Sequence, residues 1–322
     1  MHIKEVYKDI MENIVQKHEG RVSLIKGECV DHARDNRKVL YKIYGIDDSS
    51  YGKRPLVIWS HGLGGGRDGA GFLARYLVEH GYFVMHIQHP GTDTSMWEGK
   101  DGHPWDVIRA TPVTRQMTLD RFKDVPFMLD QLSDIERSHQ MLLGQIDHDA
   151  IGMSGHSFGA MTAQVMSGQI FPDISDQLTS FKEDRFKAYV FYSFSAMAHL
   201  IDAAPEDVFS DMDAAMLYMT GTQDDSPISG LDYTHRLPAY EHATSDDKHL
   251  LILEEGDHMV FTGSRGKLAF NPNRARQEEI IQKTSLAFWE AYLKSNSKAK
   301  DWLMSAQGYS AYLSDDGVYK FG

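Results

Sequence analysis

The chain has a single cysteine, Cys29, among its 322 residues. One thiol excludes an intramolecular disulfide and a cysteine-built metal centre. No apolar run approaches the ~18 residues that a membrane span needs. The opening stretch, MHIKEVYKDIMENIVQKHEG, mixes acids and lysines and has no apolar h-region, so a cytoplasmic protein is expected. Basic residues are in the minority, 33 against 46 acidic ones, which leaves a net charge of −13. Without a Lys/Arg cluster, such a chain repels phosphate backbones at long range, so nucleic acid is not an expected partner. Internal repeats and low-complexity segments are also lacking.

What is present reads as an alternation of strands and helices. Residues 1–20 have Val6, Ile10, Met11, Ile14 and Val15 on one helical face and stop at Gly20, as an amphipathic helix packed on the domain would. Two alternating stretches, 21–29 and 38–44, suit an antiparallel hairpin. Short apolar runs then follow at 55–60, 82–87, 150–154, 188–194, 215–220 and 249–253. Helical periods separate them: Phe72 to Leu77 ended by Gly81, then segments around 122–140, 158–168 and 275–294. Pro126 must start or kink the second of these. Alternating elements imply a mostly parallel sheet covered on both faces, an α/β class, and the leading hairpin narrows this to the α/β-hydrolase type. Residues 21–322 form one domain on this reading. Residues 92–121, polar and carrying Trp97 and Trp105, break the rhythm as a cap or a long surface loop; long ordered loops tend to be functional, which favours the cap.

Gly155-His156-Ser157-Phe158-Gly159 matches G-x-S-x-G, a pattern that chance alone supplies on the order of 0.2 times in such a chain. Its setting carries more weight. The apolar run AIGMS leads into it and AMTAQVM follows, the strand, turn and helix of a nucleophile elbow. A serine hydroxyl needs a base to remove its proton. Among 16 histidines, His258 follows the strand HLLILEEG at a loop position, where this fold delivers its base. The acid falls between them in chain order. Asp224 fits the G-x-x-D spacing after AMLYMT, with Asp225 as the alternative; its role would be to fix the histidine tautomer. Strand PLVIWS runs into His61-Gly62-Leu63-Gly64-Gly65-Gly66, which resembles the oxyanion loop of lipases and esterases. The amides of Leu63 and Phe158 would then meet one oxygen. Losing such a donor costs ~3 kcal/mol of transition-state stabilisation. A phosphate-cradling loop would need a lysine and Ser/Thr that are missing here. His61 reads as a hydrogen-bonder of the loop, whereas His89 fits a pocket-lining and a structural role equally. No His, Asp or Glu spacing suggests a metal site, and no organic cofactor is expected.

SHGLGGGRDG, HPGTD, RFKDVPFMLDQL, GHSFGA, TGTQDD and EEGDHMVF occur in an order that resembles bacterial α/β-hydrolases related to platelet-activating factor acetylhydrolase, often labelled predicted dienelactone hydrolases. The similarity runs from about Pro55 to Leu293. It implies a Ser/Asp/His carboxylesterase without metal or organic cofactor, with an oxyanion pair at Leu63 and Phe158; with Ser157, Asp224 and His258 as the triad, a small-molecule or lipid-like ester is the expected substrate. Two departures stand out. Dienelactone hydrolases proper use a cysteine where this chain has Ser157. The plasma acetylhydrolase takes its acid just after the strand that follows the nucleophile helix, where FYSFSAMAHL offers no Asp. An acyltransferase or an amidase would use the same triad; a non-catalytic binding module on this fold usually lacks one of its members.

Overall fold

The computed structural model describes residues 14–15, 17–195, 201–263 and 271–322. Most of the amphipathic helix expected at the start, with Val6, Ile10 and Met11, lies outside these residues. Among its described residues Val15 is buried, and Ile14 packs beside it.

The leading hairpin forms as expected. Strands β1 (Val22–Asp31) and β2 (Arg37–Ile46) pair antiparallel, with Val22 opposite Ile46. The alternation then runs β3 (Arg54–Ser60), α1 (Gly71–Glu79), β4 (Phe83–Gln88), α2 (Pro104–Ala110), α3 (Arg115–Asp130), α4 (Leu132–Ser138), β5 (Ile146–His156) and α5 (Phe158–Ser167). A two-residue ribbon follows, β6 (Phe171–Pro172) with β7 (Leu178–Thr179). The chain closes with β8 (Phe186–Tyr192), α6 (Pro205–Phe209), β9 (Ala215–Gln223), α7 (Pro238–His242), β10 (Lys248–Asp257), α8 (Arg274–Leu293), α9 (Ser297–Leu303) and β11 (Gly317–Phe321). Among the described residues, nine strands form one sheet in the order β1-β2-β4-β3-β5-β8-β9-β10-β11. From β4 to β10 every neighbour is parallel, while β1, β2 and β11 are antiparallel at the two edges. No described helix is long and apolar enough to cross a membrane.

The buried strands are apolar on both faces because helices cover both. Successive side chains of β3 alternate between two cores. Leu56 and Ile58 pack with α3 and α5, whereas Val57 and Trp59 pack with α1 and α8. Strand β8 repeats this with Tyr189 and Phe191 on one side and Val190 and Tyr192 on the other.

The helix expected around 122–140 is two helices, and it starts earlier. Thr114 takes the N-cap position and accepts the Met117 N–H, so α3 begins at Arg115 and Pro126 sits inside it. Proline lacks the N–H and crowds the preceding turn; α3 ends at Asp130, one turn later, and α4 begins at Leu132. The polar stretch 92–121 therefore contains a short 3₁₀ turn (Thr94–Met96), all of α2 and the first seven residues of α3.

All parallel strands end at one edge, so Ser60, Gln88, His156, Tyr192, Gln223 and Asp257 lead their following loops to the same rim. The tightest contact lies there. A Cβ on Gly159 would stand 1.9 Å from the Ser60 carbonyl oxygen, and one on Gly155 would stand 2.2 Å from the Gly159 carbonyl oxygen. Gly159→Ala therefore forces backbone apart at the sheet edge. It should destabilise the protein by about 3 kcal/mol, the upper end of overpacking costs. Gly69→Ala, whose Cβ would meet nothing nearer than 3.7 Å, serves as the control. Urea unfolding of both variants checks this; equal midpoints would contradict it.

Candidate active site

Residue Ser157 sits between β5 and α5 with φ 55° and ψ −116°, a left-handed conformation that a side chain rarely adopts. Such a residue costs on the order of 1–3 kcal/mol unless its surroundings hold it. Here the Ser157 N–H donates to the Tyr192 carbonyl at 2.9 Å, and the two flanking glycines allow the close approach. The hydroxyl is thereby raised above the sheet edge.

The two candidates after β9 separate by burial. Asp224 is fully buried and accepts from His258 Nδ1 at 2.7 Å, whereas Asp225 is exposed. Thr220 Oγ1 donates to the other carboxylate oxygen at 2.8 Å. Arg236, also buried, donates to Asp224 Oδ1 at 3.0 Å and to its main-chain carbonyl. Burial alone would raise the Asp224 carboxyl pKa. The favourable contacts with His258, Arg236 and Thr220 outweigh it and hold the group below the ordinary aspartate value. An ionised Asp224 can only accept, so the hydrogen bond places a proton on His258 Nδ1. His156 supports the same loop by donating from Nε2 to the His258 carbonyl at 2.7 Å. Ser157 and His258 line one cavity, and no hydrogen bond joins their side chains among the described residues.

The loop after β3 is pinned from behind. His61 Nδ1 donates to the Gly62 carbonyl at 2.7 Å, and the Gly65 N–H donates to the same oxygen at 3.0 Å. His61 Nε2 accepts the His89 N–H at 3.0 Å, so the ring bridges two loops. Fixing the Gly62 carbonyl fixes the whole planar Gly62–Leu63 peptide, whose N–H points the opposite way. Among the described residues no acceptor takes that Leu63 N–H. The Phe158 N–H opens α5, where first-turn amides lack helical partners. His89 is structural: it bonds Ser60 Oγ at 3.0 Å and Asp124 at 3.1 Å. Among the described residues, no group of three His, Cys, Asp or Glu is placed to hold a metal.

Two cavities meet at Ser157. One, of about 510 Å³, is bounded by the glycine loop with Trp59, Phe72, Trp97 and Trp105. The other, of about 340 Å³, has walls of Val113, Phe158, Met161 and Phe171. Leu63, Ser157, Ile228 and His258 belong to both. Trp97 and Trp105 thus bring the 92–121 stretch to the cavity wall; Trp97 Nε1 donates to the Gly64 carbonyl at 2.7 Å.

The sheet and its loops are those of the α/β-hydrolase fold. They are similar to those of the ferulic acid esterase from Streptomyces cinnamoneus, with a TM-score of 0.60 at 17% identity, over 86% of this chain and 92% of that one. In sequence, the chain is 28% identical over 137 residues to platelet-activating factor acetylhydrolase of Bos taurus, covering 34% of this chain and about a third (31%) of that relative's length. No protein-family model matches the chain.

Sequence reasoning missed Arg236, Thr220 and His156. Arg236 and Thr220 belong to no motif with a fixed spacing, whereas His156, as a variable residue of the elbow, was placed near the site by the pattern.

Buried histidines give this site a pH signature. Burial, followed by nearby positive groups, lowers His89 to about 4 and His156 to about 3, while burial takes His86 to about 3. All three are neutral in the folded protein at neutral pH. Below pH ~6.5 the unfolded chain takes up protons that the folded one refuses, so stability falls with falling pH until the folded values are reached. Each contributes a loss of up to roughly 1.4 kcal/mol per pH unit over that window. Asp224, held low when folded, adds its own loss only below about pH 4. The urea midpoint should therefore drop between pH 7 and pH 5; a flat profile would contradict neutral burial.

Proposed function

We propose that the protein is a serine hydrolase that cleaves carboxylic esters through an acyl-enzyme intermediate. The observation that carries this reading is the buried Asp224–His258 pair, 2.7 Å apart, at the cavity into which Ser157 is lifted. His258 Nε2 takes the proton of Ser157 as its oxygen attacks the ester carbonyl. The amides of Leu63 and Phe158 hold the oxyanion, and Asp224 stabilises the imidazolium. The imidazolium then protonates the departing alcohol, and water attacks the acyl-serine with His258 again as base.

The similarity to an acetylhydrolase and to an esterase fold supports the reaction class. The two cavities on either side of Ser157 fit an ester with apolar groups on both sides of its carbonyl, a small-molecule or lipid-like substrate. Residues 92–121, which bring Trp97 and Trp105 to the larger cavity, are its cap. The free thiol of Cys29 suits a reducing compartment, so the cytoplasm is the proposed location.

A chain-length panel of p-nitrophenyl esters tests the reaction. Ser157→Ala should abolish turnover and labelling by a fluorophosphonate; full activity in this variant would sink the assignment. Asp224→Asn should cost about 10⁴-fold in kcat, as the wrong tautomer does in related triads. Asp225→Asn should stay within about 3-fold, because an exposed surface charge contributes little. Equal losses in the two would remove Asp224 from the mechanism.

A further inference from the structure

Arg121, on α3, is fully buried, yet among the described residues no carboxylate is within ion-pair distance of it. Its guanidinium is instead satisfied by neutral oxygens. Nε donates to Thr162 Oγ1 at 2.7 Å, Nη1 to Thr92 Oγ1 at 3.0 Å, and Nη2 to Ser60 Oγ at 2.9 Å and to the His61 carbonyl. The face of the Phe158 ring lies 4.7 Å from Cζ. Burying a cation without a direct counter-ion is expensive, and an aliphatic side chain would fill this core position at lower cost. Burial accordingly lowers the guanidinium pKa to about 9, against the pull of Asp124 and Asp93.

What the cation touches is the back of both backbone turns that face the nucleophile. The His61 carbonyl it holds belongs to the peptide just before the pinned Gly62–Leu63 peptide. Thr162 Oγ1, which receives Nε, donates in turn to the Phe158 carbonyl at 2.9 Å. Thr92, which receives Nη1, accepts the Gly64 N–H at its own carbonyl at 2.9 Å. One planar group therefore sets the spacing between the loop after β3 and the first turn of α5, the two segments that supply the Leu63 and Phe158 amides.

We infer that Arg121 is the positioning residue of the oxyanion site, a buried cation that locks the two donor-bearing turns in register and sets positive charge behind them. The inference rests on the ester-hydrolase reading above. Arg121 does not touch substrate; it acts through the Leu63 and Phe158 amides. Its loss should then weaken transition-state binding while leaving ground-state binding intact.

The test compares wild type, Arg121→Gln, Arg121→Lys and Thr162→Val with p-nitrophenyl butyrate as substrate. A trifluoromethyl ketone, whose hemiketal oxygen takes the oxyanion position, serves as the inhibitor. Arg121→Gln should lower kcat by about 100-fold, the scale of losing one oxyanion donor, with KM within about 3-fold. The Ki of the ketone should rise by a similar factor, and Arg121→Lys should recover part of both. A structural role alone would lower the melting temperature without making kcat and Ki move together. Folded Arg121 variants with kcat and Ki within about 3-fold of wild type would overturn the inference, as would a fall in kcat with Ki unchanged. If neither Arg121 variant folds, Thr162→Val decides, since it removes the hydroxyl that links Nε to the Phe158 carbonyl. A parallel change of about 5-fold or more in kcat and Ki supports the inference, and unchanged values overturn it. A wild type that neither turns over the ester nor labels at Ser157 overturns the hydrolase reading itself, a different failure.

Discussion

The contact on which the rest depends is the one between Gly159 and the end of β3. With no side chain at 159, the first turn of α5 presses directly on the Ser60 carbonyl, closer than any Cβ would allow. That approach seats the elbow beside the loop that starts at His61. It also forces Ser157 into its left-handed conformation, because the chain must reverse within one residue to enter α5. The strain at Ser157 is held by hydrogen bonds on either side, from its N–H to Tyr192 and from Met161 N–H to its carbonyl. The Ser157 hydroxyl, the Phe158 amide and the neighbouring strand ends are therefore placed by backbone packing.

Around this edge the protein buries an unusual set of polar groups and keeps them in different charge states. His61, His89 and His156 are neutral and serve as hydrogen-bonding struts. Asp124 and Asp224 are ionised, each with an arginine in contact: Arg37 and Arg34 for the first, Arg236 for the second. Arg121 has no carboxylate of its own among the described residues and bonds to neutral oxygens. Neutral struts can be packed against apolar walls at modest cost, whereas each buried charge demands full hydrogen bonding. The site is consequently rigid on its inner side, and its outer side is made of cavity walls.

Much of the fold was legible because its strands are short apolar runs between helical periods, and that pattern follows directly from a sheet covered on both faces. Strand β11 was not legible. Gly317–Phe321 is a half-exposed edge strand without a long apolar run, and its pairing with β10 is set by tertiary contact. Pro126 does not mark the start of α3, which lies at Arg115 because the Thr114 capping bond fixes the beginning there and Pro126 is accommodated inside the helix. At the site, Ser157, Asp224 and His258 could be placed because each directly follows a strand, and the parallel sheet brings those ends together. Asp224 and Asp225 differ in burial, a property that adjacent residues of one type do not reveal in sequence. Arg236 and Arg121 reach their partners across 12 and about 60 residues of chain, separations that carry no local pattern.

The sheet divides the space around Ser157 as well as the cores. Met161 and Phe171, on one side, belong to the core packed under α3 and α5; Trp59, with Phe72 packed against it, belongs to the core under α1 and α8. Each half of an ester lying across Ser157 would thus be judged by a different hydrophobic core, with the β-sheet as a partition between them. Leu63, Ser157, Ile228 and His258 are the lining residues that the two cavities share among the described residues. Side chains without common neighbours contribute nearly additively. On the ester-hydrolase reading, preference for one side of the ester can therefore drift, through variation in one wall, while the other wall stays as it is: two coordinates of specificity, one on each side of the sheet.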